Sequence, residues 1–312
     1  MMSVLPGLLP VFFALAVGYL SGKLHVVDGR HVGALNAVVM KIALPIALFV
    51  ILAGAPRADV IEHGAVAAAV FVVMAVTYVA VYLLQRHVWK VDRAGSAVQA
   101  LTVAFPNTAA VALPIAGALL GRTGELAVAV SLAVGSITLT PATILILNGS
   151  GEDTPPKTGH RRGRSIVRSL SNPVVIAPIA GVVWSLLGLP LPALASSTLD
   201  EIGGLTAGLA LFLTGVVLSS QRIRLTANVA VSTLIGALAR PALALLAVWA
   251  FGMTGTMARE TVLLLAVPAG FFGILLSLDR GINADTAGAT LFFTTILSAA
   301  TLPLTILLIQ SL

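Results

Sequence analysis

The residues of this chain best suited to chemistry are two prolines inside long apolar segments, together with the polar groups beside them. Pro106 is followed by Asn107 and Thr108, and Pro268 by Ala269, Gly270 and Phe271. Proline has no N–H and clashes with the preceding helical turn, so it breaks a helix and leaves backbone groups without partners. The N-terminal end of a broken helix presents N–H groups and a partial positive charge, which suits a carboxylate. Asn107 adds two amide donors and an acceptor. Lys41 and Arg240 also lie inside apolar segments. A cation at that depth is costly and by default marks function, and two positive groups favour an anionic ligand. The competing reading for both is snorkelling, or pairing with carbonyls freed by the nearby Pro45 and Pro241. Ser131, Ser136, Thr138 and Thr140, with Thr290, Thr294, Thr295 and Ser298 further on, read first as helix–helix contacts, although Ser136 is kept as a candidate ligand. The candidate substrate-binding set is therefore Pro106, Asn107, Thr108, Pro268, Ala269, Gly270, Phe271, Arg240, Lys41 and Ser136.

Other chemistries find no support. Cysteine is absent, and His25, His31, His63, His87 and His160 fall in loops or near segment ends, where an interfacial role is expected. No HExxH, DDxxD or Ser/His/Asp grouping occurs. The acids also sit in loops or at segment ends, Asp200 and Glu201 among them, which argues against a carboxylate-centred ion relay. An intramembrane enzyme needs acids or metal ligands at depth, so no catalytic residue, metal site or cofactor is expected.

The elements that carry these residues are set by composition. The 312 residues are 58% hydrophobic and 10% charged, well outside the balance of a soluble domain and inside that of a membrane protein. A span needs about 20 apolar residues. Ten such segments are expected, at 4–22, 32–54, 64–85, 96–120, 125–147, 173–189, 197–219, 229–252, 260–278 and 285–310. The first is long enough to span and has no basic stretch before it, so no cleavable leader is expected. Pro106 then falls about 15 Å into the fourth span, near the middle of a roughly 30 Å hydrocarbon layer. Segment 148–170 is rich in Gly, Pro, Ser and charge and reads as a cytoplasmic linker between two halves, 1–147 and 171–312. Its basic run lacks interleaved aromatic residues, so no nucleic-acid partner is expected. With both termini outside, thirteen of the eighteen Lys and Arg fall in cytoplasmic loops. Three (Arg57, Arg122 and Arg259) then fall outside and two (Lys41 and Arg240) inside spans. That asymmetry fixes the expected orientation.

The halves are related. Pro45–Phe49 matches Gly208–Phe212 at an offset of 163, while Pro141–Leu145 matches Pro303–Leu307, and Pro106 matches Pro268, at 162. Five spans per half force the second half to insert upside down. Inverted repeats with broken helices characterise secondary transporters, whose sites lie near the midplane where the repeats meet. The expected fold is an all-α polytopic membrane protein of ten transmembrane helices, a 5+5 inverted repeat with broken, crossing helices 4 and 9.

With these residues in place, the chain resembles the auxin efflux carrier family, including its bacterial malonate or malate permease-like members. The fourth-span pattern Asn-x-Gly-x-x-Gly-x-Pro meets Asn107, Ala109, Ala112 and Pro114, and the Pro-Asn-Thr wording is present at Pro106–Thr108. The seventh-span pattern Pro-Leu-Ala-Leu-x-x-x-Gly meets Gly208–Gly215, and the tail from Pro268 to Leu308 is similar to the family's last two spans. The resemblance implies a scaffold of helices 1, 2, 6 and 7 and a transport domain of helices 3–5 and 8–10. It further implies a carboxylate bound by Asn107 and a homodimer through the scaffold. Alanine at 109 and 112 and glycine at 208 depart from the pattern, which bears on substrate size; the short 148–170 loop points to a bacterial carrier. The expected function is secondary transport of a small organic anion, a mono- or dicarboxylate, across the bacterial inner membrane by alternating access. Proton or sodium coupling stays open. The alternatives are a sodium-coupled symporter of the bile acid type and a non-transporting ligand sensor on the same scaffold.

Overall fold

The computed structural model describes residues 5–27, 29–149, 173–220, 223–278 and 280–310. All but the first two residues of the expected 148–170 linker lie outside them. The described residues form helices and connecting turns, with one isolated antiparallel bridge between Pro106 and Ala269. Hydrocarbon cannot hydrogen-bond a backbone, and a helix satisfies its own. Six helical runs among the described residues are long and apolar enough to cross a membrane: His31–Ala53, Arg57–His87, Thr108–Asn148, Ala193–Ser220, Ala227–Ala250 and Asp285–Ile309. The longest is not straight. Gly121 sits at φ 64° and ψ −145°, a conformation open to glycine but strained for other residues, and the chain turns there.

In chain order the helices are α1 (Leu5–Lys23), α2 (Gly29–Val38), α3 (Leu44–Ala53), α4 (Arg57–Glu62), α5 (Gly64–His87), α6 (Arg93–Ala104), α7 (Leu113–Ile137) and α8 (Leu139–Asn148). They continue as α9 (Pro173–Leu186), α10 (Ala193–Gly203), α11 (Leu205–Ser220), α12 (Ala227–Leu234), α13 (Arg240–Ala250), α14 (Gly255–Ala266), α15 (Phe272–Leu278) and α16 (Asp285–Ile309). Three wide π-turns are inserted, at Val39–Ala43, Thr108–Ala112 and Ile235–Ala239. Each precedes a proline in the first turn of the next helix: Pro45, Pro114 and Pro241. A proline cannot donate to the carbonyl one turn back, and a wider turn shifts the hydrogen-bond ladder past the gap.

Small residues decide which helices meet closely. A β-carbon on Gly18 of α1 would lie 2.1 Å from the Phe212 carbonyl oxygen, and one on Gly215 of α11 would lie 2.2 Å from that of Leu15. Backbone contact of this kind is how apolar helices associate within lipid. Gly181 of α9 lies against Leu52 and Phe49, and Gly203 of α10 against Ala47, which joins both helices to α3. A second group forms around α5, α6, α7, α13, α14 and α16. The groups meet where α11 touches the Thr108–Ala112 turn and where α3 and α9 touch α7. Of the glycines in the 197–219 segment, Gly203 and Gly215 serve close packing, whereas a β-carbon on Gly208 would meet nothing within 4 Å.

Candidate binding site at the helix crossing

The breaks after α6 and α14 meet. The Asn107 N–H donates to the Pro268 carbonyl at 2.9 Å, and the Gly270 N–H to the Thr102 carbonyl at 2.9 Å, flanking the Pro106–Ala269 bridge. Groups stripped of helical partners by the two prolines thus satisfy one another. The Ala269 N–H donates to Thr294 Oγ1 at 3.2 Å, and Gln99 Nε2 to Thr290 Oγ1 at 2.9 Å, which ties the crossing to α16. Glycine is required here: a β-carbon on Gly270 would lie 2.1 Å from the Phe105 carbonyl oxygen, and one on Gly273 would lie 2.4 Å from that of Val98. Residues 101–112 and 261–275 are all buried, and Asn107 Oδ1 is buried with no hydrogen-bond partner.

Arg240 lies beneath the crossing, 0% exposed. Its Nε donates to the Leu265 carbonyl at 2.8 Å, and its two terminal nitrogens donate to the carbonyls of Val103 and Val267. The carbonyls it meets are those freed at the ends of α6 and α14, far away in sequence from its neighbour Pro241.

Lys41 and Ser136 belong to a different space. Together with Asn36, Thr140, Val174, Phe272 and Leu275 they line a cavity of about 150 Å³. Lys41 comes from the Val39–Ala43 turn and Ser136 from α7, so the cavity lies on the seam between the two helix groups. Ser136 Oγ and Asn36 Oδ1 are buried with no hydrogen-bond partner. Its wall is coupled to the crossing: Phe272 stacks on Phe105 with ring centroids 4.6 Å apart, and on Phe271 at 5.4 Å. A cavity this small, with one ammonium and a few amide and hydroxyl groups, fits a compact anion rather than a drug-sized molecule. The predicted residues therefore form three sets: Pro106, Asn107, Thr108, Pro268, Ala269, Gly270 and Phe271 in the crossing, Arg240 under it, and Lys41 with Ser136 in the cavity.

Some polar residues escaped the sequence. Gln99 braces the crossing together with Thr294, whose expected helix–helix role is the contact it makes to the Ala269 N–H. Asn36 had no distinguishing neighbour. His63, expected at an interface, is buried instead; its Nδ1 lies 2.7 Å from the Asp59 carbonyl oxygen and its Nε2 3.3 Å from Glu260 Oε2. Both partners begin apolar stretches, a place where a charge normally signals an exposed end. Among the described residues no group of three or more His, Cys, Asp and Glu could hold a metal ion.

Apolar helices whose broken ends meet inside the set, beside a small cavity, have the arrangement that membrane carriers use. Residues 3–306 match the family described as "Membrane transport protein", and the chain belongs to that family, the auxin efflux carrier type. It is 26% identical over 300 residues to the "Uncharacterized transporter YfdV" of Escherichia coli K12, covering 95% of each chain. It is also 26% identical over 311 residues to a Rhizobium meliloti protein named "Putative malonate transporter", covering 97% of this chain and 95% of that one. An "Uncharacterized transporter" of Methanothermobacter thermautotrophicus is 23% identical over 299 residues, covering 95% of each.

Proposed function

We propose that this transporter carries a small organic anion, a mono- or dicarboxylate of about the size of malonate, by alternating access. The observation that carries the reading is the 150 Å³ cavity that sets Lys41 beside Ser136, Asn36 and Thr140 on the seam between two helix groups. An ammonium supplies the charge complement, and unpartnered oxygens beside it can accept from a hydroxyl, a protonated carboxyl or a bridging water. The malonate named for the Rhizobium relative is the same class of ligand. Phe272 links this cavity to Phe105 and so to Asn107, the residue whose match in the family resemblance holds the carboxylate.

In this reading the ten segments form the 5+5 inverted repeat, with both termini outside and the 148–170 loop in the cytoplasm. The α1–α11 and α3–α9–α10 contacts belong to the scaffold, and the group around the crossing moves against it as one body. The Lys41 side of the cavity stays with the scaffold while Ser136, Thr140 and Phe272 travel. Binding at such a seam can respond to the relative position of the two groups, which a carrier requires. Uptake of radiolabelled malonate and related acids into proteoliposomes tests the proposal. Saturable uptake that unlabelled dicarboxylates compete for supports it; no uptake of any mono- or dicarboxylate by folded protein under either gradient direction refutes it.

A further inference from the structure

The crossing contains a charge that the anion cavity does not use. Arg240 is wholly buried, and among the described residues no carboxylate lies within ion-pair distance of it. An unpaired charge at that depth is expensive unless oriented dipoles replace its water. They do so here. The carbonyls of Val103 and Leu265 lie in the last turns of α6 and α14, and that of Val267 follows directly. Carbonyls in these positions lack helical partners, and each helix end carries a partial negative charge. Two such ends converge on one point. In carriers built from discontinuous helices, carbonyls at half-helix C-terminal ends and unwound backbone are the groups that coordinate a sodium ion. The neighbouring Ile235–Ala239 turn lies against the crossing: a β-carbon on Gly236 would sit 3.4 Å from Thr294 Cγ2 and 3.7 Å from Val103 Cγ1.

We infer that the carbonyls of Val103, Leu265 and Val267 form a monovalent-cation site whose permanent occupant is the guanidinium of Arg240. The crossing thus carries its own counter-charge through every conformation and takes no ion from solution at this position. Removing the guanidinium uncovers a site for a free monovalent cation. The first part stands on the geometry alone; its consequence for coupling rests on the transport reading above.

The test compares purified wild-type protein with Arg240→Ala, Arg240→Lys and Arg240→Met in thermal unfolding. Each is measured in sodium chloride, in choline chloride at equal ionic strength, and with low-millimolar guanidinium added. Wild type is expected to unfold at the same temperature in all three. Arg240→Ala is expected to lose roughly 5–10 °C, since three buried carbonyls lose their donors. It should regain part of that loss with sodium or guanidinium and none with choline, which is too large for the site. Arg240→Lys keeps a charge among the carbonyls and should be more stable than Arg240→Met, a comparison that holds if the alanine variant does not fold. An alanine variant indifferent to the cation, or a methionine variant as stable as the lysine one, overturns the inference. Transport gives an independent arm: wild-type uptake should be unchanged when choline replaces sodium. If uptake exists but requires sodium, the consequence for coupling fails and the anion reading stands; in either case, and also if no acid is transported, the unfolding series decides the cation site.

Discussion

The helix crossing and the cavity beside it meet through the stacking of Phe272 on Phe105 and Phe271, yet they treat most of their polar groups differently. In the crossing, groups freed by Pro106 and Pro268 are paired with one another, with Thr294 or with Arg240, and glycine lets the backbones touch. In the cavity, Ser136 and Asn36 keep oxygens without partners, and Lys41 is exposed. The paired backbone of the crossing specifies a rigid frame, with the Asn107 Oδ1 left over, and the unpartnered oxygens of the cavity hold capacity for a ligand. The difference teaches that a broken helix and a binding site need not be the same object. The breaks fix where two helices meet, and in the proposed reading the ligand's charge complement is held on the neighbouring seam.

The comparison can be broken most severely at Gly270. A branched side chain there would drive into the Phe105 carbonyl, and Gly270→Val is expected to abolish folding or lower stability by at least about 3 kcal/mol, read as loss of the monodisperse peak in size-exclusion chromatography. A stable, active valine variant would show that the crossing is not closely packed. Next in size is Lys41→Gln. Losing a charged partner worth about 1.5–3 kcal/mol should weaken substrate binding roughly 10- to 100-fold, read as a raised KM for uptake with the unfolding temperature unchanged. Asn107→Ala sharpens the boundary between frame and site. Its backbone N–H still holds Pro268, so the protein should insert and fold, while uptake should fall about tenfold through loss of the side-chain amide. Wild-type kinetics would remove Asn107 from the site and confine binding to the cavity. Ser136→Ala is the mildest. A single neutral hydrogen bond gives an expected two- to tenfold rise in KM, and no change would assign the hydroxyl to helix packing.

Much of the frame could be read from residue types. Proline carries its own signal, so both breaks were evident, and the 162-residue offset between Pro106 and Pro268 anticipated that they are partners. What stayed hidden were meetings across the chain. For Arg240 the sequence leaves open a ligand role or pairing with carbonyls freed by Pro241; its acceptors are residues 103, 265 and 267. Lys41 and Ser136 share a cavity although 95 positions separate them. No periodicity encodes such a juxtaposition, because Lys41 and Ser136 each sit in a locally apolar stretch that gives no direction to a lone polar group. His63 and Glu260 were hidden for a related reason: a charge at the start of an apolar stretch looks exposed until a second charge is packed against it.

The central claim is that Lys41 in the seam cavity supplies the charge complement for a small carboxylate. Its most direct test is initial-rate uptake of labelled malonate into proteoliposomes containing wild type or Lys41→Gln, each verified as folded by its unfolding temperature. The account predicts saturable wild-type uptake and a KM raised at least tenfold in the variant. Equal uptake by both proteins would contradict it.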